Sequence, residues 1–298
     1  MNEKLLPYLK EIGRGAKGSR GLTREQAAEA WGWLLDGEAD ATQMGAFCMA
    51  MRMKGETAQE LAGFLDATEA RLPPLPHASN AVTIVLPSYN GARRLPVLTP
   101  LLAALLQREG LQVVMHGLHT ESKRIATPRI LEHLPSELAF QWVNTEQLCP
   151  GLARLLQLRI SMGLRNAAHS IVKLMNPVPS TNTIVVGSYT HPEFAELMAQ
   201  VVQLQGRHAL LLRGTEGEPV ADARRLPTLQ GYLHGQPTHC VEGQSGSLQS
   251  VPALPDGLDA TATARYILQV LEGELPVPAP IAQQVALLLQ MARALSTS

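Results

Sequence analysis

Between Leu72 and Asn80 the chain carries Pro73, Pro74 and Pro76, and the hydrophobic pattern differs on the two sides of this segment. A proline cluster neither continues a helix nor sits inside a sheet, so the segment reads as a linker between two regions. Before it the punctuation is helical. Thr23 with Gln26 forms a capping box ahead of a helix rich in Ala that carries Trp31, Trp33 and Leu34, and Gly37 supplies its stop. A second helix is expected from about Thr42 to Met53, ending at Gly55. Thr57 with Glu60 caps a third, with Leu61, Phe64 and Leu65 on one side. The methionines at 44, 49, 51 and 53 read as core filler, because flexible thioethers fit irregular gaps.

After the linker, short apolar runs alternate with helical stretches. Strands are expected at Ala81 to Leu86, Leu111 to Met115, Phe140 to Val143, Thr183 to Val186 and His208 to Leu212. Helices are expected from Thr99 to Glu109, with Pro100 in its first turn, and from about Pro192 to Gln205, closed by Gly206. Residues 261–273 and 280–295 read as terminal helices, and Gly243 to Gly257 as a surface loop. The expected fold is therefore a small all-helical N-terminal domain plus a larger α/β domain with a mostly parallel central sheet.

The total charge excludes a uniformly basic packaging protein, with 25 Lys and Arg against 26 Asp and Glu. The distribution is uneven. Residues 25–70 hold nine acids against Arg52 and Lys54, residues 91–129 hold six basic side chains against two acidic ones, and residues 151–173 hold four basic side chains and no acid. Charge runs of this kind form either solvated helix faces or, where they converge, a basic groove. Cys48, Cys149 and Cys240 are odd in number and widely spaced, which fits reduced thiols and a cytoplasmic protein. Glu3, Lys4, Lys10 and Glu11 stand where a secretion signal needs an apolar run, and no stretch is long enough to span a bilayer, so no membrane partner is expected.

In a parallel sheet, ligands collect beyond the carboxyl ends of the strands. Four such ends are distinctive: Pro87-Ser-Tyr-Asn-Gly-Ala-Arg-Arg94, His116-Gly117, Gly187-Ser-Tyr-Thr-His-Pro192 and Arg213-Gly-Thr-Glu-Gly-Glu218. Asn90 and Gly91 offer main-chain N–H groups for an anion, with Arg93 and Arg94 for charge. His116 and His119 precede Lys123 and Arg124, but nothing nearby completes a metal site. Glu216 and Glu218 either hold a magnesium ion through water or pair with Arg213, Arg224 and Arg225. No nucleophile elbow, Walker loop or dinucleotide fingerprint is present.

Gly37-Glu38, Gln43, Arg52-Met-Lys-Gly-Glu-Thr57 and Glu60-Leu-Ala-Gly63 resemble the N-terminal helical domain of anthranilate phosphoribosyltransferase. The resemblance continues through Met162-Gly-Leu-Arg165 and Lys173-Leu-Met-Asn-Pro177. It implies the glycosyltransferase family 3 fold, shared with nucleoside phosphorylase-like proteins. The division expected is a helical domain over residues 1–72, completed by 162–180, and an α/β domain from 81–161 and 181–298.

The chain departs from the family where the enzymes bind the sugar donor. Pro87-Ser-Tyr-Asn-Gly91 stands in place of the Gly-Thr-Gly-Gly-Asp turn that wraps a diphosphate, which restricts close main-chain approach. Of the Lys-His-Gly-Asn-Arg string only His116-Gly117 remains, and the magnesium-binding Asp-Glu pair has no clean counterpart, since the region reads Glu216-Gly-Glu-Pro219. Arg165 falls on the arginine that contacts the anthranilate acceptor. The strings at 87–93 and 212–218 are similar to those of the divergent YbiB-type branch.

That similarity implies a homodimer, formed through the helical domain, that binds DNA or RNA with little sequence preference and lacks the biosynthetic activity. The residues expected to meet nucleic acid or phosphate are Ser88, Tyr89, Asn90, Gly91, Arg93, Arg94, His116, Gly117, Lys123, Arg124 and Arg165, with Tyr89 stacking on a base. No cofactor is expected on this reading. The alternative is a phosphoribosyltransferase acting on an aromatic acceptor, with Mg2+ held by Glu216 or Glu218.

Overall fold

The computed structural model describes residues 1–15, 17–77, 81–118, 123–248 and 251–296. The chain divides into two compact units, Met1–Pro74 with Thr145–Pro177, and Leu75–Asn144 with Val178–Ser298. The chain returns to the helical unit at Thr145, earlier than the expected 162. The reason is the helix Pro150–Met162: Gly151 lies against the main chain of Leu35, and the Arg154 guanidinium donates to the carbonyls of Leu34 and Leu35 at 3.3 and 3.0 Å. The run of four basic residues that pointed to a groove thus spends one of them satisfying orphan carbonyls at a helix C-terminus.

In the helical unit, Arg24–Asp36, Ala41–Lys54 and Ala58–Glu69 each start with a complete capping box, from Thr23, Asp40 and Thr57. The middle box, Asp40 with Gln43, was not anticipated, and it moves that helix start ahead of Thr42. Trp31 stacks on Phe64 with ring centroids 4.4 Å apart, Phe47 closes the cluster, and the indole N–H donates to Thr68 Oγ1 at 3.0 Å. The methionine expectation fails in part. Met51 is in the core, Met44 and Met49 are half-buried, and Met53 is 78% exposed, because only one face of the helix Ala41–Lys54 meets the other helices.

Among the described residues the α/β unit contains seven strands: β1 (Thr83–Pro87), β2 (Gln112–Gly117), β3 (Gln141–Asn144), β4 (Thr183–Tyr189), β5 (His208–Arg213), β6 (Leu229–Leu233) and β7 (Gln236–Val241). Their order in the sheet is β3-β2-β1-β4-β5-β6-β7; the first five run parallel, and β6 pairs antiparallel with both β5 and β7. The five parallel strands fall where the apolar runs predict them. The β6–β7 hairpin was missed, although His234 and Gly235 both take positive φ, 49° and 73°, as a two-residue hairpin turn requires. Leu-His-Gly-Gln between two alternating runs was the available signal.

Alternation along β1 sends Ile84 and Leu86 into the large core with Leu101, Ile267 and Leu288, and Val85 to the opposite face with Val114 and Val185. Both faces of β1 are buried, as a central parallel strand demands. Its carboxyl end therefore opens directly into the loop Ser88–Leu95. Among the described residues, no helix is long and apolar enough to cross a membrane.

Candidate functional site

Pro87 ends β1, and the chain turns at Gly91, whose φ is +65°. A Cβ there would lie 2.7 Å from the carbonyl oxygen of Ile125, so the glycine is needed for close packing of two loops. Ala92 and Ile125 exchange main-chain hydrogen bonds of 3.0 and 2.8 Å, which sets the stretch after Gly91 beside Lys123 and Arg124. Gly117 has a similar role, since a Cβ on it would run into the Ser88 carbonyl. The glycines of these strand ends serve loop-on-loop contact.

The turn already holds an anion, and it belongs to the chain itself. Glu218 is fully buried, and its carboxylate accepts the N–H groups of Asn90 and Gly91 at 3.0 and 2.7 Å. Ser88 Oγ also donates to it, and Thr99 Oγ1 does so at 3.3 Å. Two residues earlier in the chain, Glu216 takes three more N–H groups of the same loop, beyond that of Ala92: Arg93 at 3.2 Å, Arg94 at 2.7 Å and Leu95 at 3.0 Å. Arg124 stands 3.6 Å from the Glu216 carboxylate and donates to the Gly91 carbonyl at 2.9 Å.

Backbone conformation aims these two carboxylates. Glu216 has φ +50° and Gly217 φ +92°, so the Gly214–Glu218 turn folds back and both acids at i and i+2 meet one loop. A left-handed conformation at a glutamate is uncommon and is kept only where surrounding contacts determine it; here the three N–H groups do so. Burial pushes the Glu218 carboxyl above its ordinary value, against the hydrogen bonds from Ser88, Gly91, Asn90 and Thr99. An N–H cradle of this type is the usual device for a phosphate or carboxylate ligand.

The two glutamates do not pair with Arg213, Arg224 and Arg225 as expected. Arg224 makes a bidentate pair with Asp222 at 2.9 and 2.7 Å, and Arg225 donates to the carbonyls of Gln244 and Gly246. Nor do the glutamates fit a magnesium ion: one is buried among donors, and the other is spent on three N–H groups and a guanidinium. Among the described residues, no cluster of three or more His, Cys, Asp or Glu can hold a metal.

Of the residues expected at the site, Ser88, Tyr89, Asn90 and His116 are buried, Gly91 lies in a packed turn, and Gly117 ends β2 against the Ser88 carbonyl. Tyr89, 4% exposed, has no open face for a base, so the stacking assigned to it does not fit this conformation. Arg124 is engaged with Gly91 and Glu216. Arg93, Arg94 and Lys123 are exposed, and among the described residues no carboxylate pairs with their side chains. Arg165 belongs to the helical unit, is exposed, and its carbonyl accepts from the Arg52 guanidinium at 3.3 Å. His119 lies outside the described residues.

Beside the turn lies a cleft at the strand ends where ligands are expected to collect. Its volume is about 930 Å³, and Arg94, Tyr189, Arg213, Arg224 and Arg225 line it with Glu216 and Asp222. The two strand-end strings 187–192 and 213–218 pointed to it, but Arg213, Arg224 and Arg225 were read only as partners for the glutamates.

A helical bundle paired with a parallel α/β unit whose strand-end turn cradles an anion defines the phosphoribosyltransferase class of folds. The glycosyl transferase family helical bundle domain matches residues 6–71. YbiB of Escherichia coli (strain K12) is 34% identical over 293 residues, covering 93% of this chain and 91% of that protein. Anthranilate phosphoribosyltransferase of Bradyrhizobium sp. (strain BTAi1 / ATCC BAA-1182) is 27% identical over 302 residues, covering 93% and 85%. The structure of the Saccharomyces cerevisiae enzyme in complex with PRPP and Mg superposes with a TM-score of 0.73 at 15% identity, covering 99% of this chain and 90% of that one, a likeness of fold. The chain belongs to the YbiB branch of the anthranilate phosphoribosyltransferase-like family.

Proposed function

We propose that this protein binds nucleic acid with little sequence preference and does not transfer a phosphoribosyl group. One observation carries the reading: Glu218 and Glu216 occupy the main-chain N–H groups where a diphosphate would lie. A donor sugar would have to displace both carboxylates and then bind beside their charge. Outside the turn, Arg93, Arg94 and Lys123 present unneutralised charge along two bridged segments, the arrangement that holds phosphates without reading bases.

The reading includes a homodimer formed through the helical unit, which doubles a modest patch, and a contribution from Arg165. It also includes residence in the cytoplasm, in keeping with three free cysteines. Neither a cofactor nor a metal has a part in it. The alternative, a phosphoribosyltransferase with Mg2+, draws support from the fold shared with the yeast enzyme.

Filter binding of single-stranded and duplex probes across salt concentrations tests the proposal. The triple variant Arg93→Ala/Arg94→Ala/Lys123→Ala is expected to lose retention at low salt and to flatten the salt dependence by about one unit of slope per lost phosphate contact. Arg124 is left in place because it supports the turn. Undiminished binding by the triple variant would reject the assignment. Calorimetry with phosphoribosyl pyrophosphate and magnesium is expected to be flat at millimolar ligand; a saturating isotherm would favour the transferase.

A further inference from the structure

The two capping carboxylates fill the turn but leave open the cleft of about 930 Å³ beside it. That volume is at the upper end of the range for small-molecule sites, and far more than a lone phosphate needs. Its floor is the last rung of the sheet. Tyr189 and Arg213 are direct partners in the parallel β4–β5 ladder, so their side chains leave the sheet on the same face. Tyr189 is half-buried, and among the described residues no aromatic ring stacks on it. Burial raises its phenol, and the charge of Arg213, its ladder partner, acts in the opposite sense.

The charges of the cleft do not cancel. Its acids are both engaged: Asp222 grips Arg224 bidentately, and Glu216 faces three N–H groups and Arg124. Arg94 and Arg213 have no carboxylate partner among the described residues. Arg225 is oriented by the carbonyls of Gln244 and Gly246, at 3.4 and 2.8 Å, which hold its guanidinium without neutralising it. Leu95, Leu226 and Pro227 supply apolar wall.

An inorganic anion would answer the guanidinium groups and leave the phenol ring and apolar wall against water. An uncharged aromatic compound would do the reverse. A planar heterocycle carrying a phosphate satisfies both, through stacking and charge-assisted hydrogen bonds. We propose that this cleft binds a nucleoside phosphate, with its base on Tyr189 and its phosphate between Arg213 and Arg225. A free mononucleotide and the phosphorylated end of a strand present the same chemistry. The site goes beyond the reading above, which assigns phosphate contacts to the exposed row Arg93, Arg94 and Lys123 and gives no role to Tyr189, Arg213 or Arg225.

Calorimetry with AMP, adenosine and inorganic phosphate tests the site, alongside anisotropy of a single-stranded DNA of about 20 nucleotides with and without a 5′-phosphate. AMP is expected to bind more tightly than adenosine or phosphate. Arg213→Gln and Tyr189→Ala are each expected to weaken AMP about tenfold, and Tyr189→Phe to leave it unchanged, since the ring and not the hydroxyl makes the contact. Arg213 is exposed, so its substitution spares the fold.

Lack of saturable AMP binding at millimolar concentration, or equal AMP affinity in wild type, Arg213→Gln and Tyr189→Ala, would overturn the inference. If the oligonucleotide is retained while AMP is not bound, this site falls and nucleic-acid binding stands; AMP bound without oligonucleotide gives the reverse. With AMP bound, preference for the 5′-phosphorylated strand supports the site and assigns it to strand ends. Indifference to that phosphate supports the site and assigns it to free nucleotide.

Discussion

The helical unit and the α/β unit both bury a glutamate completely, and they do so in different ways. Glu60 sits at the third position of its own helix, closing the capping box with Thr57, accepting Leu22 N–H at 2.9 Å and pairing with Lys54 at 2.7 Å. Its charge has a local cap and a cation. Among the described residues Glu218 has four donors and no cation, and its partners Ser88, Asn90, Gly91 and Thr99 come from far along the chain. The first arrangement is the punctuation of a helix; the second is an anion site with a resident anion. A buried carboxylate paired with a base mainly organises structure, whereas one surrounded by N–H and O–H groups takes the place of a ligand.

The largest test of this contrast removes the resident. Glu218→Ala strands two buried N–H groups and two hydroxyls and is expected to cost about 3 to 5 kcal/mol, read as a fall in thermal midpoint. Glu218→Gln, which keeps the acceptor and adds a donor for the hydroxyl oxygens, should retain most of that stability. Equal tolerance of Ala and Gln would mean that the turn does not depend on its occupant.

A pH series separates the units further. Burial, assisted by the charges of Arg165 and Arg159, pushes His169 in the helical unit down to about 3. The unfolded chain takes up that proton below about 6.5, so the helical unit loses stability as pH falls from there towards the folded value. Glu218 is displaced upward, so the folded state holds its proton more tightly than the unfolded one. The α/β unit is therefore expected to lose stability as pH rises above the ordinary carboxyl value near 4.5. Hydrogen exchange over Ala168–Ile171 and over Asn90–Leu95 should show opposite slopes, and Glu218→Gln should flatten only the second. Parallel slopes would refute the contrast.

The smallest effect is at the caps. Asp40→Ala removes one capping box and is expected to lower the thermal midpoint slightly, with no change in nucleic-acid retention. A cap substitution that lowered retention without lowering stability would mean that the start of the helix Ala41–Lys54 itself takes part in binding.

The same contrast explains what could be read in the sequence. Capping boxes close over three residues, so Thr23 with Gln26 and Thr57 with Glu60 announce their helices, and the apolar runs of β1 to β5 mark a parallel sheet. The site is assembled from Ser88–Leu95 and Glu216–Glu218, more than a hundred residues apart, and no local pattern tells which acid meets which N–H. Glu216 and Glu218 were visible as unusual, but a metal and an arginine were the partners that composition suggested. Tyr89 looked like a stacking ring because its neighbours are polar, and packing of the loop against Ile125 and Ala126 buries that stretch of chain.

The covalent tether of Glu218 has a consequence for behaviour in a living cell. A side chain held at its own receptor acts at a fixed effective concentration that a dissolved competitor must exceed. A dissolved diphosphate therefore meets main-chain N–H groups that are already taken, whatever its supply.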